Sequence, residues 1–335
     1  MSDQESHPTT VDRLSSETPA VGFAGLGRMG RPMAARLAQS GVPLIVYNRT
    51  QSKSEGLVSS GARWVTTPRE LARSIGKGIT FLIVTDRRAV RSVLFGRMGF
   101  ARGAPAGALV VNLSTIEPEA SRDFSARLGK QGVQYVDAPV GGSVDQASQG
   151  ELLFYVGGEE AQVARVRPLL ERLGRRVEVM GSVGAGNATK LVNNLLTIGN
   201  TVLSTEALAL ADGFHLDRAR TIEVLLMGGA RSSMLERKAP NFLTRQYPVR
   251  FATSLARKDL KLIEGAAARE GQSLKVTREV RRLLEEGIAL GRAEEDFSSV
   301  LEATLVRRQP GPRATSPANP PPERGEPPAA GGAPV

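Results

Sequence analysis

The sequence predicts an α/β chain in which a doubly wound sheet is followed by an all-α C-terminal domain. Three observations carry that expectation. A Gly25-x-Gly27-x-x-Gly30 turn lies between a short apolar run and a helix-period segment. Strand-like and helix-like segments then alternate as far as Met180. Beyond Met180 no strand pattern returns, and long helix-period segments follow.

Composition sets the bounds. The 335 residues suffice for two domains, each with its own core. Hydrophobic residues make up 41% and charged residues 23%, as in ordinary globular chains. No apolar run is long enough to span a bilayer, and Met1 to Pro19 lacks a signal-peptide core. A cytoplasmic location without a membrane partner is therefore expected. The absence of cysteine excludes disulfides, thiolate zinc sites and a cysteine nucleophile. His7 and His215 are the two histidines, too few for a multi-histidine site, so no metal is expected. Acid–base chemistry falls to Lys, Tyr, Asp or Glu. The net charge of +10 comes from arginines scattered along amphipathic segments, without a basic block or interleaved aromatics. That pattern speaks against nucleic acid and for attraction of small anions.

The elements follow in order. Residues 1–19 are polar and read as a disordered tail. Ala20 to Gly25 forms a strand, and Pro32 to Leu37 starts a helix. Gly25, Leu26, Gly27, Arg28, Met29 and Gly30 join them in the manner of a Rossmann-type dinucleotide site. The first glycine permits the tight turn, the second lets backbone approach a pyrophosphate, and the third lets helix and strand pack closely. The helix N-terminus then offers unpaired amides to phosphate. A ligand-free glycine turn is the bland alternative, and the strand–turn–helix context argues against it.

A second strand, Pro43 to Tyr47, ends in Asn48, Arg49 and Thr50. An NAD-preferring site places a carboxylate here for the ribose hydroxyl. Arg49 and Thr50 instead suit a 2′-phosphate, and Lys53 adds charge. NADP (NADPH) is thus the expected cofactor, with NAD second; the bland reading of Arg49 is a solvated surface charge. Further strands are expected at 79–84, 108–112, 133–136, 152–156 and 177–180. Helices are expected through Val93-Leu94, at 118–128 and at 163–173. Loops after the strand ends should line the crevice, bringing Thr85, Ser114-Thr115 and the Asp137–Ser143 loop to one rim. Residues 20–182 form this NADP-binding domain.

Residues 183–308 are expected to be all helical, with segments at 185–211, 217–227, 258–270, 276–290 and 297–306. Gly213 is the expected C-terminal cap of the first. Lys190 and Asn194 share a face of that helix, one turn apart. An amine beside an amide on a mostly apolar helix is either a site or a snorkelling lysine beside a polar rim. The helix alone leaves both open. Apolar faces on so many helices predict a homodimer or homotetramer. Residues 309–335, dense in Pro, Gly and Ala, read as a second disordered tail.

Taken together, the motifs resemble the β-hydroxyacid dehydrogenase family. They are the segments Gly25–Met33, Leu113–Pro118, Asp137–Ser143, Gly184–Asn194 and Lys258–Leu260, spread over about residues 20 to 307 in the family's order. The Asn48-Arg49-Thr50 ending, Gly150-Glu151-Leu152 and Tyr247–Phe251 look most like the glyoxylate/succinic semialdehyde reductase subgroup. The resemblance implies hydride transfer between NADPH and a small aldehyde bearing a carboxylate. It makes Lys190 the general acid/base and Asn194 the amide that holds the substrate oxygen. Thr115 and Lys258 match cofactor-contacting positions; Ser114, Phe251 and Asp259 match or adjoin substrate positions. One departure stands out: Gly141 occupies a position where the family usually has Ser, in the loop that receives the substrate carboxylate. Gly141 and Gly142 still offer amides, and Ser143 is a candidate replacement hydroxyl. Rival readings are 3-hydroxyisobutyrate or tartronate semialdehyde (2-hydroxy-3-oxopropionate) chemistry, an imine reductase, and a non-catalytic dinucleotide-binding oligomer. The presence of Lys190 argues against the last two.

Overall fold

The computed structural model describes residues 19–306, so both expected tails lie almost wholly outside the described residues. The first part alternates as the sequence implies. It runs β1 (Val21–Ala24), α1 (Gly30–Gln39), β2 (Leu44–Tyr47), α2 (Glu55–Ser59), β3 (Arg63–Trp64), α3 (Pro68–Ile75) and β4 (Ile79–Leu82). Next come α4 (Arg87–Phe95), β5 (Leu109–Asn112), α5 (Pro118–Gly129) and β6 (Gln134–Asp137). The sheet is completed by β7 (Val140–Gly141), α6 (Val144–Gln149), β8 (Leu152–Gly157), α7 (Glu160–Leu173) and β9 (Gly174–Gly181).

The strand order is β3-β2-β1-β4-β5-β6-β8-β7, with β9 on β8. The first six strands are parallel, and β8 runs antiparallel to β6 and β7. Winding reverses between β1 and β4, which opens a crevice at their carboxyl ends. Alternate residues of one strand enter different cores. Val111 and Val136 pack with Met33, Leu37 and Phe154, whereas Val110 and Tyr135 pack with Leu71, Leu94 and Phe124. Both faces are covered, which is why these strands read as continuous apolar runs.

After β9 come α8 (Ala185–Gly213), α9 (Arg218–Met227), α10 (Ser233–Thr244), α11 (Thr253–Arg269), α12 (Lys275–Ala289) and α13 (Val300–Val306). The 29 residues of α8 make it about 43 Å long. Its inward residues Leu191, Ile198 and Val202 pack against Met234, Leu260, Ile263, Leu284 and Phe297. Leu208, further along, meets Ile222, Leu235 and Phe242.

Several expectations are corrected here. The left-handed residue after α8 is His215 (φ 60), not Gly213, and Leu216 closes the turn on the Ala211 carbonyl. The helix α10 falls outside the expected segments, and it carries Pro240 inside it. It starts on Ser232, whose hydroxyl accepts from the Leu235 amide at 3.0 Å. The helix α11 begins at Thr253 rather than Lys258. The last segment divides into a 3₁₀ turn at Phe297–Ser299 and α13. Among the described residues, no helix is long and apolar enough to cross a membrane.

Candidate active site

The glycine turn is shaped by close approach. A Cβ on Gly25 would lie 1.9 Å from the Ile83 carbonyl oxygen, and one on Gly30 would lie 1.9 Å from that of Gly25. Gly25 also sits at φ 100, open to glycine alone at little cost. A Cβ on Gly27, by contrast, would meet no atom within 4 Å. Free room therefore faces the start of α1, which has no side-chain cap and no acidic residue in its first turn. Uncapped amides beside open space suit a pyrophosphate. Leu26 is buried, Met29 half-buried and Arg28 exposed.

Asn48 makes two hydrogen bonds within the protein. Its Oδ1 accepts from the Leu26 amide at 2.9 Å, and its Nδ2 donates to the Thr50 carbonyl at 2.8 Å. The side chain braces the glycine turn against the end of β2. Arg49 and Thr50 beside it are exposed. Ser114 is buried, and its Oγ accepts from the Val84 amide at 2.9 Å. That bond ties the β4 and β5 ends together.

The helix α8 is anchored to the sheet by a residue whose role the sequence reading missed. Asp137, at the end of β6, accepts from the Gly184 and Asn187 amides, each at 2.7 Å. The carboxylate thus caps a helix 47 residues further on. Asn187 Oδ1 accepts from the Ile116 amide at 3.0 Å, and its Nδ2 donates to Ser121 Oγ at 3.1 Å. A Cβ on Gly186 would lie 2.3 Å from the Tyr155 carbonyl oxygen, so only glycine lets α8 press this closely on β8. Burial pushes the Asp137 carboxyl up to about 6, and the Gly184 and Asn187 amides pull the other way. A carboxylate closing a strand was the available signal; its partners lie too far along the chain to be read from spacing.

One turn into α8 stands Lys190. It is half-buried, and its ammonium has no hydrogen-bond or ion-pair partner among the described residues. Loss of water brings its pKa down to about 8, opposed by the charge of Asp259 and aided by that of Lys258. Asn194 is buried and donates from Nδ2 to Asp259 Oδ2 at 2.7 Å. Asp259 Oδ1 lies 2.9 Å from Lys258 Nζ. Lys258 also donates to the Thr85 carbonyl at 2.9 Å and the Thr115 carbonyl at 3.4 Å. It therefore clasps the helical domain to the crevice rim, bringing the Lys190 face to the sheet's carboxyl edge. Asp259, expected at the substrate, holds the Asn194 amide and lies beside Lys258, and its charge acts on Lys190. Phe251 packs edge-on to Phe297 at 5.5 Å and takes no part in this hydrogen-bonded cluster.

In the Asp137–Ser143 loop, Gly141 belongs to the short strand β7 and Gly142 sits at φ 139. Ser143 forms a capping box with Gln146: its Oγ accepts from the Gln146 amide at 3.4 Å, and Gln146 Oε1 accepts from its amide at 3.1 Å. Its hydroxyl is engaged in starting α6.

Comparisons with known proteins divide the chain at the joint just described. The family described as NAD binding domain of 6-phosphogluconate dehydrogenase matches residues 20–181. That described as NAD-binding of NADP-dependent 3-hydroxyisobutyrate dehydrogenase matches residues 184–304. Glyoxylate/succinic semialdehyde reductase 2, chloroplastic, of Arabidopsis thaliana is 31% identical over 300 residues, covering 90% of this chain and 83% of that one. The 2-hydroxy-3-oxopropionate reductase of Escherichia coli strain K12 is 34% identical over 283 residues, covering 84% and 96%. The chain belongs to the β-hydroxyacid dehydrogenase family. A solved structure, Psf3 in complex with NADP+ and 2-OPP, matches it with a TM-score of 0.76 at 27% identity, over 84% of this chain and 99% of that one. As a family member the protein is an NAD(P)-dependent oxidoreductase acting on CH–OH groups of a small molecule.

Proposed function

We propose that this family member reduces a small aldehyde that carries a carboxylate, using NADPH, with Lys190 as the proton donor. The observation that carries this reading is the unpartnered, partly desolvated ammonium of Lys190, held at the crevice rim beside Asn194. NADPH, when bound, supplies the hydride. Lys190 gives a proton to the carbonyl oxygen as negative charge develops there. Asn194 directs one N–H to Asp259 and keeps its second for that oxygen. Asp259 fixes the amide and offsets part of the cost of burying the ammonium. Arg49 and Thr50, exposed at the end of β2 with no carboxylate beside them, support a 2′-phosphate and hence NADP over NAD.

A second copy of the chain is the natural cover for α8. Val192, Leu196, Leu203 and Leu210 are 64%, 57%, 64% and 60% exposed, and their spacing puts them in one stripe. A monomer mass by static light scattering would remove this part of the proposal.

The deciding experiment is a panel of glyoxylate and short semialdehydes, each offered with NADPH and NADH, following loss of the reduced nicotinamide. Turnover with NADPH exceeding that with NADH is expected. The kcat/KM for reduction should fall as pH rises through about 8, and that for oxidation should rise through the same value, because one reaction needs the ammonium and the other the free amine. Failure of every aldehyde with either nucleotide would overturn the reading.

A further inference from the structure

Position 141 has no side chain, and the space beside it is already taken. A Cβ on Gly141 would lie 3.0 Å from the Tyr155 hydroxyl oxygen and 3.4 Å from two of its ring carbons. The phenol of β8 thus stands where a short side chain at 141 would point. Its hydroxyl donates to Asn193 Oδ1 at 3.0 Å. Asn193 follows Lys190 by three residues on α8, and its Nδ2 donates to Asn194 Oδ1 at 3.1 Å. The phenolic oxygen therefore lies between the glycine loop and the helix face that bears Lys190 and Asn194. In that loop Ser143 is engaged in capping α6, so no free side-chain hydroxyl remains there. Tyr155 is 8% exposed, and burial raises its pKa above the ordinary phenol value. It is a neutral donor throughout the working pH range.

We propose that Tyr155 binds the substrate: its hydroxyl, standing where a short side chain at 141 would point, donates to the substrate's carboxylate. The hydroxyl hydrogen turns from Asn193 Oδ1, an uncharged acceptor, to a charged and stronger one. Asn193 keeps the ring aligned between turnovers. Gly141 and Tyr155 act as a pair: the absent side chain admits the phenol, and the phenol supplies the absent hydroxyl. This inference rests on the carboxylate-aldehyde reading above.

The test compares succinic semialdehyde with pentanal, an uncharged aldehyde, on the wild type, on Tyr155→Phe and on Gly141→Ser/Tyr155→Phe. In Tyr155→Phe, kcat/KM for the semialdehyde should fall about tenfold or more, through KM, as expected for loss of a hydrogen bond to a charge. Pentanal turnover and the Kd of NADPH should stay within about twofold, since neither meets the hydroxyl. In the double variant the phenolic oxygen no longer crowds position 141. The serine hydroxyl should then recover several-fold of the semialdehyde activity. Equal losses for the two aldehydes, or no loss for the semialdehyde, would overturn the assignment of Tyr155. Reduction of pentanal but not of the semialdehyde by the wild type would overturn the carboxylate reading and this inference together.

Discussion

The two halves of the active site are built by opposite means. The half proposed for the nucleotide is shaped by missing atoms: Gly25 and Gly30 permit close approach, Gly27 leaves open space, and the amides at the start of α1 carry no side-chain cap. The helical half works through side chains that hold one another. Asn194 leans on Asp259, which lies 65 residues away, and Lys258 reaches Thr85 across 173. The first half is damaged by adding atoms and the second by removing them. Substitutions should therefore separate binding from chemistry cleanly.

The largest effect is expected at Lys190. Lys190→Ala should lower kcat by about 10³-fold, within the usual range for a general acid, while the Kd of NADPH changes by less than about twofold. Comparable damage to both quantities, in steady-state kinetics and nucleotide titration, would show that the halves are not separable. Asp137, which joins them, comes next. Its pKa rises on folding, so its contribution to stability is complete below about 4 and is lost as pH rises through about 6. The advantage of wild type over Asp137→Asn should shrink by about 3 kcal/mol across that window, read from urea unfolding at a series of pH values. A gap that stays constant with pH would mean that the carboxyl titrates alike in both states. The smallest effect belongs to the nucleotide half. Arg49→Asp should move the NADPH-to-NADH preference by about tenfold, through loss of a charge-assisted contact and gain of a repulsive one. An unchanged ratio of kcat/KM values would assign Arg49 to the surface.

The same contrast explains what the sequence disclosed. A glycine imposed by local backbone geometry leaves a local signature, so the turn at residues 25–30 and the alternation around it were legible. So were the helix that carries Lys190 and the change of pattern after Met180. What remained hidden depends on which way a polar atom points. Asn48, Ser114 and Ser143 carry the right groups for ligand contacts, yet their hydrogen bonds brace the turn, the rim and α6. Asp137 and Tyr155 show the converse. Their partners come from α8, which brings the Gly184 and Asn187 amides to one and Asn193 to the other. The helix α10 fell outside the expected segments, and His215 took the left-handed turn that a glycine was expected to make.

The two-sided grip of Asn48 bears on redesign of nucleotide choice. An aspartate at that point would still accept from Leu26, yet it has no hydrogen to offer Thr50 and would set its charge against a carbonyl. Installing the acid that reads a ribose diol would slacken the glycine turn. An engineer seeking to retune this enzyme has firmer ground one residue later, where Arg49 faces water.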